Sequence, residues 1–541
     1  MGTPSSPVVS PPSRRQLLVG AGAAAAIGLT ATRASASALG VPAYVPSTVA
    51  GAAELSRLRT WAVDTWHSLV AMTDRTTGLP ADNIPESLAT ADRSAYTSPT
   101  NIGGYLWSTV VARELGIITN GECTSRLLRT LHTLLRMQHH QPSGMYYNWY
   151  DESTGDVITT WPTSGDRVYP FLSSVDNGWL GAALRVVMSA NAGAAPLARR
   201  IFGRMRWDMF YDTNAPLKPG LIHGGFYDAP PPPGFSGFTG NHIGVGPDVW
   251  YTNHHYDTTV SETRITSYLG IITGQIPGAQ YFAMWRTFPA TCDWDWQEMQ
   301  PVGENRTYLG VNVYEGAYTY RGMHIVPGWG GSMFEELMPD MFVPESSWAP
   351  RSWGLNHPLH VRAQREHGLI DAGYGYWGFS PCSNPAGGYR EYGVDALGLA
   401  PGDHPGESGY GYFSDQEMTN YDVGFGTCRP ATNPTPHYGN GVVTPHASFL
   451  AMMHEPQQAY ANLVGIQDDL KAYGTGGFFD AATVHSGEIA RRYLSLDQAM
   501  VMGSIGNVMA DNVVRRAFST PAVERALRPV IGIEEFGAGL A

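Results

Sequence analysis

Segments of helical period alternate along this chain with long loops rich in glycine, proline and aromatic residues, and that alternation limits its folds more than any other feature. In TSPTNIGGYLWSTVVARELGII, the residues Ile102, Tyr105, Leu106, Thr109, Val110 and Leu115 keep largely to the i, i+3, i+4, i+7 rule of one helix face. Ser98 followed by Pro99 reads as a cap and first-turn pair, because proline has no N–H to leave unsatisfied there. VDNGWLGAALRVVMSAN, TVSETRITSYLGIITG, TPHASFLAMMHEPQQAYANLVGIQ and SLDQAMVMGSIGNVMADNVVRRAF read as further helices. Between them lie DAPPPPGFSGFTGNHIGVGPDVW (228–250) and the most aromatic stretch, residues 373–413. Loops of this length in a compact domain are usually functional. The pattern shows a mostly helical chain and suggests a helical toroid with a cleft built from those loops. No strong internal boundary interrupts it, so residues 41–541 are read as a single domain.

The N-terminus reads differently. Arg14-Arg15 precede Leu17-Leu18, the apolar run VGAGAAAAIGLTA and a small-residue stretch at Ala34–Ala38. A charged start, short apolar middle and small-residue end describe an export signal, and the paired arginines favour the twin-arginine route. Residues 1–40 are therefore set aside, and a secreted or cell-envelope location is expected. The apolar run is too short to span a bilayer comfortably, and no other segment approaches about 18 uninterrupted apolar residues. No membrane span is expected after processing.

A formal charge of −13 disfavours nucleic acid or an anionic membrane as partner; a neutral polymer fits better. Hydrophobic residues make up 43% of the chain and charged ones 15%, enough for a sizeable core. The 15 Trp and 28 Tyr suit both sugar stacking and core packing. Cys123, Cys292, Cys382 and Cys428 match no zinc spacing; they read either as free thiols or as up to two disulfides, with Cys382–Cys428 the favoured pair. His254-His255 and the other histidines, 17 in all, show no ligand spacing, so no metal and no cofactor are expected.

A resemblance enters at TSPTNIGGYL (97–106) and continues through GMYYNWYDESTG (144–155), FLSSVDNGWLGAAL (171–184), HYDTTVSETRITSYLG (255–270) and PGWGGSMFEELMP (327–339). WGFSPCSNPAGGYREYG (377–393), VTPHASFLAM (443–452), EPQQAYANL (455–463), YGTGGFFDA (473–481) and YLSLDQAMVM (493–502) follow in order. Together they resemble the glycoamylase-like domain of cyclic β-1,2-glucan synthases and the related secreted endo-β-1,2-glucanases, over roughly residues 55 to 515. The resemblance implies an all-α fold, an (α/α)6 barrel in which an inner and an outer ring of helices surround a loop-lined cleft. It also implies a polysaccharide or oligosaccharide substrate and a monomeric enzyme.

Glycoside cleavage uses two carboxyl groups, one protonating the leaving oxygen and the other activating water or attacking the sugar. Glu262, in YDTTVSETRITSYLG, matches the segment where the glucanases carry their proposed general acid; a helix-face ion pair is the plain alternative. Glu335 matches the family glutamate of GWGGSMFEELMP, with helix-dipole stabilisation as its alternative and Glu336 read as solvated. Asp497, which opens the last long helix, stands where the glucanases show an aspartate-glutamine pair, and reads as a general base or as a helix cap. Asp176 is read first as a cap, with a substrate contact as the alternative. Asp257, Asp151, Glu391 and Asp395 are candidates for substrate contact, and Trp149, Trp329 and Trp377 for stacking platforms. Synthase-type domains carry a glutamate shortly after the pair matching Trp377-Gly378, whereas here Phe379-Ser380-Pro381-Cys382 follows. That departure counts against a transglycosylase and toward a non-catalytic glycan-binding protein. The carboxylates Glu262, Glu335 and Asp497 count against the latter, and the resulting reading is an inverting endo-hydrolase of a β-glucan, β-1,2-linked first.

Overall fold

The computed structural model describes residues 51–216, 218–288, 299–399 and 438–541. The export segment, Cys292 and Cys428 lie outside them. Cys123 and Cys382 are buried and free. Fourteen helices carry the described chain: α1 (Ala52–Met72), α2 (Pro99–Glu114), α3 (Asn120–Arg136), α4 (Ser174–Ala190), α5 (Ala195–Phe202), α6 (Arg264–Ile272) and α7 (Met333–Leu337), then α8 (Glu345–Trp348), α9 (Trp353–Glu366), α10 (Pro445–Ala451), α11 (Pro456–Asp468), α12 (Ser495–Met509), α13 (Val513–Phe518) and α14 (Pro521–Ile531).

Six of them close a ring. α2 packs on α4 and α12, α4 on α6, and α10 on α7 and α12. The gap between α6 and α7 is bridged by hydrogen bonds from Arg264 to the Glu335 and Glu336 carbonyls. Outside this ring α1 covers α12, α3 covers α2, α5 covers α4, α14 covers α6, α9 covers α7 and α11 covers α10. This is the (α/α)6 arrangement.

The two rings differ in composition for a physical reason. An outer helix shows water one face, so α3 buries Cys123, Leu127, Thr130, Leu131, Thr133 and Leu134 at helical spacing and leaves Ser125, Arg129, His132 and Arg136 exposed. An inner helix is enclosed on all sides, and every residue of α2 from Pro99 to Ala112 is buried. Close approach then demands small residues: a Cβ on Gly103 would stand 2.9 Å from the Trp179 carbonyl oxygen of α4.

Ser98 caps α2 as expected, its hydroxyl accepting the Asn101 N–H at 3.2 Å. Two expected long helices are each broken. Pro456 restarts the chain as α11 after α10, since proline cannot donate within a continuing helix. Asp511 and Asn512, both at positive φ (49° and 53°), separate α12 from α13.

Short strands accompany the helices, which the all-α expectation did not place. The longest pair is the antiparallel hairpin Val302–Tyr308 with Val311–Tyr320, extended by Met323–Ile325. Its loops are the two-residue connections Leu309-Gly310 and Arg321-Gly322, all four residues at positive φ. That geometry matches the right-handed twist of the flanking strands. No described helix is long and apolar enough to cross a membrane.

Candidate active site

The N-termini of the six inner helices gather at one end of the ring, as a chain of hydrogen bonds between them shows. Asp82 accepts from the Asn101 amide of α2 and from the Ser495 N–H of α12. Thr100 of α2 donates to Asp176 of α4 at 2.6 Å, and Thr266 of α6 to the Ser174 carbonyl of α4 at 2.9 Å. Between α10 and α12, His446 Nδ1 lies 3.7 Å from Asp497. Each helix start presents unsatisfied N–H groups and a positive dipole end, so this rim favours carboxylates.

A cleft enclosing about 690 Å³, open solvent included, lies on this rim. Asp257, Glu262, Glu335 and Glu391 bring four carboxyl groups to it, and Tyr256, Trp329 and Tyr389 bring aromatic rings. Glu262 does not sit within α6 as the periodicity predicts; it occupies the turn Ser261–Thr263 just before it. Glu335, at the start of α7, explains the difference. Its Oε2 accepts from the Ser261 hydroxyl at 2.8 Å and from the Glu262 N–H at 2.7 Å. Those charge-assisted bonds hold the turn open ahead of the helix. The Trp179 indole N–H donates to Glu262 Oε2. Glu262 is thus buried, fixed by a neutral donor, and faces the cleft.

Beneath the two glutamates lies a buried ionic network. Arg264 is fully buried and pairs in bidentate fashion with Glu345, both contacts 2.8 Å. Its remaining donors reach the carbonyls of Ser261, Glu335 and Glu336 at 3.0, 2.9 and 2.6 Å. One guanidinium therefore ties the turn carrying Glu262 to the helix carrying Glu335. Glu336, expected in solvent, is buried and accepts from Asn356 and from His357 Nδ1 at 2.6 Å. An inner-ring helix has no solvent face, so the neighbouring carboxylate needs a buried partner. Burial opposes the charge on His357, but the Asp340 and Glu336 carboxylates outweigh it and push its pKa up to about 9.

Asp257 lies in the cleft wall, and burial pushes its carboxyl up to about 7, the charge of Lys218 offsetting only part of the effect. Burial, reinforced by Arg286, pushes Lys218 down to about 7. A carboxyl with its folded pKa raised stabilises the fold fully below its unfolded pKa of 3.8, and that contribution is lost as pH rises through about 7. Asp257→Asn is therefore expected to match the parent in stability near pH 4. It should gain on the parent by about 1.4 kcal/mol per pH unit between there and pH 7. Chemical unfolding across that range checks it; a difference independent of pH would contradict it.

The other candidates are placed elsewhere. Asp497 does not cap α12; it sits buried with His446 and Asp480. Burial, then the adjacent Asp497 carboxylate, raise the Asp480 carboxyl well above the usual range. The hairpin Cys382–Ser383 with Tyr389–Arg390 runs from this cluster to the cleft: Ser383 N–H bonds Asp480 at 2.5 Å, while Tyr389 lines the cleft. Asp176 is not the cap of α4 either, because Ser173 fills that role and Asp176 accepts from Thr100. Asp151 folds its own turn, accepting from the N–H groups of Ser153 and Thr154. Trp149 packs edge-on to Tyr96 and Trp161, and Trp377 is 2% exposed in the main core, so neither is a stacking platform. The turn Asp395–Leu397 is described, but the Asp395 side chain is not. Trp179 and Ser261, which hold the two glutamates, escaped the sequence reading, as did the cleft-lining Tyr256 and Tyr389.

Residues 254–521, from the cleft wall to α14, match the Glycoamylase family model, described as "Putative glucoamylase". That stretch resembles a glycoamylase-like domain. Residues 60–213, the first inner and outer helices beside that domain, match a second model, DUF3131, described as a protein of unknown function. The cyclic beta-(1,2)-glucan synthase NdvB of Rhizobium meliloti (strain 1021) is 26% identical over 289 residues, covering 50% of this chain and 8% of that protein. The chain also shares its fold with an endo-beta-1,2-glucanase from Chitinophaga pinensis (TM-score 0.57, 15% identity, 89% of this chain and 97% of that one). An endo-beta-1,2-glucanase from Talaromyces funiculosus gives a TM-score of 0.59 at 14% identity, over 89% of this chain and 88% of that one.

Proposed function

We propose that the protein is a glycoside hydrolase that cleaves a β-glucan, most directly a β-1,2-linked one, inside the chain and with inversion. One observation carries the reading: Glu262 is buried at the rim of an aromatic cleft, with its main-chain N–H held by Glu335 and its carboxyl by the Trp179 indole. A carboxyl so fixed is placed to protonate a glycosidic oxygen as the bond breaks. Trp329 and Tyr389 offer ring faces for the sugars, and Asp257 and Glu391 offer acceptors or donors for hydroxyls. Glu335, with one oxygen committed to the Glu262 turn, orients the acid. Asp497 is assigned to water activation, since it stands in the first turn of α12 beside Asp480, and the hairpin bound to Asp480 carries Tyr389 to the cleft. The linkage assignment is supported by the relatives: the Chitinophaga glucanase structure is a complex with sophorotriose and glucose, and the Talaromyces one a complex with sophorose.

Where the synthases carry a glutamate, Phe379 and Ser380 are buried here and bind the start of α7, Ser380 Oγ accepting the Phe334 N–H at 3.2 Å. This supports hydrolysis over transfer to a sugar acceptor. Export by the twin-arginine route and action as a monomer outside the cytoplasm complete the proposal. Chromatography of early products from a β-1,2-glucan tests the mode of cleavage. A ladder of oligosaccharides is expected; release of a single small sugar from the start would overturn internal cleavage.

A further inference from the structure

Three side chains scattered over the sequence meet beside the cleft. Asp212 and His223 come from neighbouring strands of the sheet that also holds His255–Tyr256, and His242 follows the strand Gly237–Gly240 of a second sheet. His223 Nδ1 lies 2.9 Å from the Thr252 carbonyl oxygen. A carbonyl only accepts, so Nδ1 carries the proton and Nε2 of the neutral ring is a bare lone pair. That lone pair points at His242 Nε2, 3.2 Å away, and at Asp212 Oδ2, 3.5 Å away. His223 is 0% and Asp212 4% exposed, so water does not soften a lone pair set against a carboxylate.

We infer that Asp212, His223 and His242 bind a divalent transition-metal ion, Zn²⁺ above all. Ligands at about 2.0–2.1 Å from a tetrahedral zinc stand roughly 3.3 Å apart, and the two contacts of His223 lie on either side of that value. Imidazole nitrogens with one carboxylate select zinc over magnesium or calcium, which take oxygen sets. The outer shell is present as well. The Thr252 carbonyl fixes the tautomer of His223, and His255 Nε2 lies 3.0 Å from Asp212 Oδ2 and orients it. The ion cross-links two sheets. One of them carries His255 and Tyr256, which line the cleft and lead directly to Asp257. Its role is to brace the cleft wall, distinct from the acid at Glu262.

Metal analysis of the full mature chain, freed of any histidine tag and dialysed in zinc-containing and then metal-free buffer, tests the site. About one zinc per chain is expected, with a cobalt-substituted form showing the visible bands of tetrahedral coordination. His242 is half buried, so His242→Ala is expected to keep the parent's circular dichroism while losing the metal; His223→Ala should lose it too. Chelator-treated parent should regain thermal stability on adding zinc. Parent protein that takes up no zinc, or a His242→Ala variant that keeps the full complement, would overturn the inference. The cluster would then be a hydrogen-bond network in which His242 donates its Nε2 proton to His223.

Discussion

Glu262→Gln is expected to lower β-glucan cleavage by about 10²- to 10⁴-fold, the usual contribution of a positioned proton donor. The amide is nearly isosteric, keeps an oxygen to accept the Trp179 indole N–H and leaves the main-chain N–H bound to Glu335. The fold should therefore survive, with an unchanged melting temperature and circular dichroism. What it cannot do is release a proton to the leaving oxygen. Substrates whose leaving group departs without protonation, such as aryl glycosides of the same sugar, should lose far less. A variant that cleaves the polymer at the parental rate would remove Glu262 from the mechanism.

Arg264→Met is expected to cost about 3–5 kcal/mol of stability, the range for removing one member of a buried ion pair. Methionine fills much of the volume, so the loss comes from the charge and the hydrogen bonds. Glu345 would keep Tyr268 and His357 as partners, which does not replace the bidentate guanidinium. The carbonyls of Ser261, Glu335 and Glu336 would each lose a donor. Because those carbonyls belong to the segments carrying the two site glutamates, residual folded protein should also lose activity. Arg264→Lys keeps the charge but not the fork and should recover only part of the stability. Denaturant unfolding measures the effect; a change below about 1 kcal/mol would show that the pair is not holding the ring together.

What the sequence made legible follows from what each element needs. The ring was readable because α2, α4, α6 and α12 keep long apolar runs, with a cap-and-proline start at Ser98-Pro99 for α2, and those features are local. The hairpins were not, because Leu309-Gly310 and Arg321-Gly322 lack the asparagine or aspartate that usually announces such turns. Glu262 and Glu335 were found as candidates, but their relation was not: Ser261 and Glu335 stand 74 residues apart and Trp179 and Glu262 83 apart. Glu336 went wrong because alternate charged neighbours on a helix normally divide between water and protein, while α7 has no water side. The Asp212–His223–His242 cluster had no spacing to reveal it, since two sheets assemble it.

The most direct test of the account is reducing-end release by the mature chain from β-1,2-, β-1,3-, β-1,4- and mixed-linkage β-glucans and from α-glucans, with Glu262→Gln as the control. The account predicts release from the β-1,2 polymer, little from the others, and at least about 100-fold slower release from the folded variant. No release from any β-glucan by folded parent, or equal release by parent and variant, would contradict it.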